Sequence, residues 1–175
     1  MKAVVVYQSL WGSSAAIARA IAEGIGRRTI AVDTNAATPA LIADADFIVA
    51  GCPVHAFGLP SVDSVKQAVA KPAGRDQVPA DASHKLMRDW LDDLPTSTGL
   101  ATAFDTRVKG PLGRGGANKV MAGLLKAGYR RAAKPQGFYV ALRPLVVGEE
   151  GMLLPGEVDR AREWGEQLSA IATLA

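Results

Sequence analysis

The stretch Ala3-Val4-Val5-Val6-Tyr7-Gln8-Ser9-Leu10-Trp11-Gly12-Ser13-Ser14 decides how this chain folds. A short β-branched run, Lys2–Tyr7, reads as a strand buried on both faces. It is followed by a loop rich in hydroxyls. Gly12-Ser13-Ser14 then opens a segment with Ile17, Ile21 and Ile25 at four-residue spacing, closed by Gly26, which is the pattern of an amphipathic helix with a glycine stop. Strand, short loop and helix in that order are the first half of a βαβ unit.

The rest of the chain repeats the alternation. Strands are expected at Thr29–Asp33, at Phe47–Ala50 leading into Gly51-Cys52-Pro53, at Leu100–Phe104 and at Gly137–Leu142. Helical patterns fall near 61–70, 83–94, 116–128 and 157–172, the last with Val158, Ala161, Trp164, Leu168 and Ile171 on one stripe. Five strands alternating with helices predict an α/β fold, a doubly wound parallel sheet with helices on both faces. Lys71–Ala82 and Met152–Gly156 interrupt the rhythm with proline and glycine, but neither is long enough to separate domains. One domain over 1–175 is expected.

With 175 residues, 49% hydrophobic and 21% charged, the composition excludes wholesale disorder and allows a sizeable core. A single cysteine forms no internal disulfide. No run approaches the ~20 apolar residues of a membrane span, and the N-terminal run is too short for a signal peptide. The cytoplasm is the expected location. The net charge of +3 conceals an asymmetry: residues 1–100 carry a net −1 and residues 101–175 a net +4. Between 105 and 143, nine Lys and Arg residues face Asp105 alone. That stretch reads either as a solvated face or as a site for an anionic partner. Nucleic acid is disfavoured, because only Tyr129 interleaves its first part with an aromatic ring.

Ligands of an open parallel sheet bind beyond the carboxyl ends of the strands. The first such loop, with Ser9, Trp11, Gly12, Ser13 and Ser14, runs into a helix N-terminus and makes a phosphate cradle, although Ser13 or Ser14 capping the helix explains the same residues. G-x-G-x-x-G, G-x-x-x-x-G-K-[ST] and G-x-S-x-G are all missing, which excludes a dinucleotide turn, a P-loop and an acyl-transfer serine. A phosphate monoester remains. The second loop, Gly51–Pro60, is apolar and tightly turned, suited to a flat heterocycle beside Val54 or Phe57, or to a structural turn with Phe57 in the core. His55 is a candidate proton donor or a loop histidine. Cys52 is a packing residue or, with a lowered pKa, a nucleophile. The third loop, Thr102–Gly116, holds Asp105 and Arg107 either as a local ion pair or as an acceptor and a cation for a bound heterocycle.

Three segments, V-V-V-Y-Q-S-L-W-G-S-S, A-G-C-P-V-H-A-F-G-L-P and A-F-D-T-R, together resemble the flavodoxin-like FMN proteins over essentially the whole chain. The F-D-T-R segment with the closing L-L-P-G-E and W-G resembles a group of small flavodoxin-domain proteins. The resemblance implies a five-stranded sheet in the order 2-1-3-4-5 and FMN as cofactor. Ser9, Trp11, Gly12, Ser13 and Ser14 would hold its phosphate. Pro53, Val54, His55, Phe57 and Gly58 would border one side of the isoalloxazine, and Phe104, Asp105, Thr106 and Arg107 the other. It further implies an oxidoreductase that passes electrons or hydride from a reduced nicotinamide to a quinone-like or other acceptor, with His55 and Arg107 as candidate catalytic residues and no metal. Two alternatives are an electron carrier docking an acidic redox partner and a protoporphyrinogen-oxidase-like dehydrogenase. Electron-shuttling flavodoxins are usually acidic and sandwich the ring between aromatics. Here Asp-Thr-Arg stands where an aromatic is often found. Arg107 and Lys109 are therefore expected to favour the anionic reduced cofactor, by about 1 kcal/mol in a partly buried site.

Overall fold

A computed structural model describes residues 2–55, 58–71, 78–110, 115–141 and 151–173. Strand β1 (Ala3–Tyr7) lies at the centre, buried on both faces as its β-branched run requires. Helix α1 (Ser13–Ile25) returns the chain to β2 (Thr29–Asp33), which pairs parallel with one side of β1. Strand β3 (Phe47–Pro53) pairs with the other side, and β4 (Leu100–Val108) continues outward from β3. The order 2-1-3-4 then ends in a position shared by two short strands. Here β5 (Arg130–Arg131) pairs with the start of β4 and β6 (Gln136–Val140) with its end, all parallel.

The expected fifth strand is thus split in two. Residues 132–135 lie between its halves, and Pro135 has no N–H to donate to a ladder. The Thr102 hydroxyl donates to the Ala133 carbonyl there (3.1 Å) and keeps the break close to β4.

Strand β4 also differs from expectation. It runs four residues beyond Phe104, so Asp105, Thr106 and Arg107 are ladder residues and not loop residues. Thr106 pairs with Pro53 on one side and Phe138 on the other. Asp105 and Thr106 are buried in this strand end and are tolerated because each has a polar partner, Ala117 N–H for the carboxylate and the Ser14 hydroxyl for the threonine.

Short helix α2 (Pro39–Ala43) was not expected, although Thr38 and Pro39 are a strong start signal. The Thr38 hydroxyl accepts from Leu41 N–H (3.3 Å) and proline stands at the first helical position. Helix α3 (Val62–Ala70) begins with a reciprocal Ser61–Ser64 capping box. Helix α4 (Met87–Asp92) is shorter than its pattern suggests. Asn35 donates to the Ser83 carbonyl and accepts from Lys85 N–H, which ties 83–85 to the turn after β2 and keeps them out of the helix. Helices α5 (Gly116–Lys126) and α6 (Glu157–Thr173) complete the two layers.

Two apolar clusters fill the space on either face of the sheet. One joins Val4, Val6, Ile48 and Ala50 to Met87, Trp90, Val120, Met121 and Leu124. The other joins Val5, Phe47, Val49, Phe104 and Phe138 to Ile17, Ile21, Trp164 and Leu168 of α1 and α6. Gly24 and Gly165 let α1 and α6 approach closely, since a methyl group on either would meet the other helix's backbone within 2.5 Å. Among the described residues no helix is long and apolar enough to cross a membrane.

Candidate functional site

The carboxyl ends of β1, β3, β4 and β6 open on a cleft of about 180 Å³. Its lining includes Ser9, Trp11, Ser13 and Ser14 from the first loop, Pro53, Val54 and His55 from the second, and Thr106 and Arg107 from β4. Nine residues singled out from sequence therefore meet in one place. Helix α1 starts there with Gly12 as N-cap at φ 91° and no side chain capping its first N–H groups, so the positive end of the helix faces the cleft.

The loop hydroxyls are oriented by backbone donors. Ser9 Oγ accepts from Gly12 N–H (3.1 Å), and Ser13 Oγ accepts from Met152 N–H (2.9 Å). Each hydroxyl keeps its own O–H to donate. Ser14 Oγ shares a hydrogen bond with Thr106 Oγ1 at 2.7 Å, tying α1 to β4. The loop is braced from outside as well. His84 Nδ1 accepts from Ser9 N–H (3.1 Å), and Asp81 N–H donates to the Leu10 carbonyl (2.7 Å). The second half of the polar 71–82 interruption is thus part of the site's frame, while 72–77 lie outside the described residues.

The second loop forms an aromatic and apolar wall. The Trp11 and His55 rings lie 6.0 Å apart. His55 Nδ1 is 3.1 Å from Ser64 Oγ on α3, and burial lowers the imidazole pKa, so it is neutral at pH 7. His55 and Gly58 exchange both backbone hydrogen bonds (2.8 and 2.9 Å). Gly58 lines a neighbouring cleft with Ser61, Ser64 and Arg88. Phe57, expected beside the ring of a ligand, lies outside the described residues. Cys52 is completely buried and its thiol pKa is pushed far up by desolvation, which makes it a packing residue and not a nucleophile.

Two residues of β4 stand elsewhere than expected. Phe104 is completely buried in the α1–α6 core, edge-on to Phe138 at 6.3 Å, and does not line the cleft. Alternation along a strand sends 104 to the face opposite 105 and 107. Asp105 is also fully buried, with Oδ2 accepting from Ala117 N–H at the start of α5 (2.7 Å) and lying 3.4 Å from the Arg107 guanidinium. Of the two readings of this pair, the local ion pair is the one present. Burial pushes the Asp105 carboxyl up to about 6 against the opposing pull of Ala117 N–H and Arg107, and Oδ1 has no hydrogen-bond partner among the described residues.

Val140, Ala141 and Met152 also line the cleft and were not anticipated. Their signal is long-range: Leu154 N–H donates to the Tyr139 carbonyl (3.0 Å) and Ala141 N–H to the Met152 carbonyl (2.9 Å), folding 152–154 back along β6. Among the described residues no group of His, Cys, Asp or Glu is placed to hold a metal ion.

No protein-family model matches the chain, and no curated protein matches it by sequence. Solved structures do match by fold. A short-chain flavodoxin associated with a non-canonical PDU bacterial microcompartment superposes with a TM-score of 0.66 at 15% identity, covering 98% of this chain and 99% of its own. Oxidised flavodoxin 2 from Bacillus cereus gives 0.64 at 10% identity, covering 97% and 99%. The flavodiiron core from Synechocystis sp. PCC6803 gives 0.61 at 13% identity and covers 99% of this chain but 36% of that one. The sheet order and these near-complete superpositions agree: the chain has the flavodoxin-like fold.

Proposed function

We propose that this protein binds FMN in the cleft at the start of α1 and acts as an oxidoreductase, taking hydride or electrons from a reduced nicotinamide and passing them to a quinone-like or other acceptor. One observation carries the cofactor assignment. Ser9 and Ser13 use their lone pairs on backbone N–H groups, leaving two O–H donors beside an uncapped helix N-terminus, the donor set a phosphate monoester requires. Trp11, Pro53, Val54 and His55 add the apolar wall that suits a flat ring. The flavodoxin structures that share the fold support the same reading.

Bound there, FMN supplies the two-electron chemistry. The chain's own residues bind and tune it. Ser9 and Ser13 would anchor the phosphate end through their hydroxyls, with Gly12 opening the helix and Ser14, bonded to Thr106, fixing its first turn on β4. His55 is neutral at pH 7 and acts as wall and orienter, held by Ser64, not as a cationic acid. Arg107 lines the cleft with its charge partly offset by Asp105, so it favours negative charge developing at the ring edge.

The absorption spectrum of the purified protein tests the cofactor: flavin bands, and FMN released on denaturation, are expected. A colourless protein that takes up no added FMN would overturn it. Oxidation of a reduced nicotinamide with a quinone and no partner protein tests the activity. The exposed Arg130, Arg131 and Lys134 favour a second reading, a carrier that docks an acidic redox protein. Turnover only with such a protein would select it.

A further inference from the structure

On the other side of Arg107 lies a second and larger cleft of about 480 Å³, lined by Arg107, Lys109, Asn118, Lys134, Gln136 and Tyr139 among others. Arg107 belongs to both clefts. The lining is cationic and contains no acid. Asp105 is the acid nearest in sequence, and it is buried beneath Arg107 and committed to Ala117 N–H. Lys109 lies 5.7 Å from the centre of the Tyr139 ring and Arg107 lies 6.0 Å from it. Neither Lys109 nor Lys134 forms an ion pair with a described residue.

The position of Arg107 is built into the fold. Asp105 and Arg107 pair with Gly137 and Tyr139 of β6, so all four are on one face of the sheet. The guanidinium extends over Gly137, where a methyl group would stand 2.2 Å from Nη2 and 2.3 Å from Cζ. Only a residue without a side chain leaves room for it. Asp105 offsets part of the Arg107 charge, but Lys109 and Lys134 have no such acid beside them among the described residues, so the cleft keeps a net positive charge that attracts anions.

We propose that this second cleft binds the phosphate groups of an anionic co-substrate, and that Arg107 marks where that molecule meets the cofactor. The second clause rests on the FMN reading. The first stands without it. Tyr139 and the Gln136 and Asn118 amides give the cleft a flat wall and neutral polar groups for the uncharged part of such a molecule.

Calorimetric titration of inorganic pyrophosphate into the FMN-saturated protein at low salt tests the proposal. One site is expected beyond the cofactor. Lys134→Gln and Gly137→Ala should each weaken it about tenfold, the loss expected for one charge-assisted contact. Lys66→Gln, on exposed α3, should leave it unchanged. Gly137→Ala meets only the far end of a flexible side chain, so it displaces the guanidinium without unfolding β6. Gly137 is a positioning residue, and its variant should keep the flavin spectrum while losing pyrophosphate. A reduced nicotinamide dinucleotide should displace pyrophosphate. Failure to do so removes the co-substrate assignment. Equal affinity in wild type, Lys134→Gln and Gly137→Ala overturns the site. If the protein takes up no FMN, the cofactor reading falls. The same titration then still decides, because binding lost on Ser13→Ala and kept on Lys134→Gln places the anion on the first loop and overturns the proposal.

Discussion

Asp105 shows how a single residue can look like a loop acid in sequence and be something else in the fold. Its carboxyl is fully buried, with one oxygen unpartnered among the described residues, and its pKa is raised to about 6 chiefly by desolvation. In the unfolded chain it titrates near 3.8. Between those values the folded state binds more protons than the unfolded one, so stability falls as pH rises. The contribution is fully present below about pH 4 and is lost as pH passes through about 6, an effect of about 3 kcal/mol. Urea unfolding at pH 4.5 and 7.5 should show this loss in the wild type and a flatter profile in Asp105→Asn. Identical slopes would show that Asp105 does not titrate in this window. The neighbouring Arg107 carries a second expectation. Its removal in Arg107→Ala takes a cation from the cleft edge, and the midpoint potential of bound FMN should fall by on the order of 20 mV. An unchanged potential would mean that Asp105 cancels the charge at the ring. Sequence reading placed both residues at the site but took their strand for a loop. Asp and Arg have low strand propensity, and only the pairing of β4 with both β3 and β6 shows why they are in a ladder.

At the scale of elements, the legible part was the part governed by local periodicity. The β-branched run of β1, the isoleucine spacing of α1 and the apolar stripe of α6 each express burial directly in sequence. What stayed hidden depends on contacts between distant segments. The split of the fifth strand into β5 and β6, the shortening of α4 by Asn35 and the folding of 152–154 onto β6 all arise from hydrogen bonds across 30 to 50 residues or from chain reversals that composition does not encode. The last of these positions the site. Gly151 has φ +63°, and a methyl group there would stand 2.5 Å from the Trp11 carbonyl, 2.6 Å from Ser13 Oγ and 2.8 Å from Ser13 N. Only glycine combines that backbone conformation with so close an approach to the first loop. Gly151→Ala should therefore push 151–152 off Ser13, break the Met152 N–H bond to its hydroxyl and free the loop. Fluorescence titration should show FMN affinity reduced about tenfold, the loss of roughly one oriented hydroxyl, with global stability lowered by about 1–2 kcal/mol. Unchanged affinity would show that the closing segment does not orient the phosphate loop.

Across the whole molecule, the sheet divides its labour by position. Its centre, β1 and β3, is apolar and carries both cores, whereas the β4–β6 side collects the basic residues that give the C-terminal part its positive balance. The edge strand β5 is two residues long and consists of exposed Arg130 and Arg131, which also discourages edge-to-edge association of sheets. Charge gathered beside one cleft acts on approaching ions over about a Debye length, ~10 Å at 0.1 M salt, and does little to neutral molecules. The two halves of the proposed reaction should therefore respond differently to ionic strength. An anionic nicotinamide dinucleotide would be drawn toward Arg107, Lys109 and Lys134, so the second-order rate constant for its reduction of the bound cofactor should fall about tenfold between ~0.02 and ~0.3 M salt. Reoxidation by an uncharged quinone should change by less than about twofold over the same range, since no net charge is being steered. Stopped-flow absorbance follows each half separately, which removes the ambiguity of steady-state rates. Salt-independent reduction would show that the basic face plays no part in capturing the donor. Measurable reoxidation only by an acidic protein, steeply salt-dependent, would instead assign that face to a macromolecular partner and make the protein a carrier.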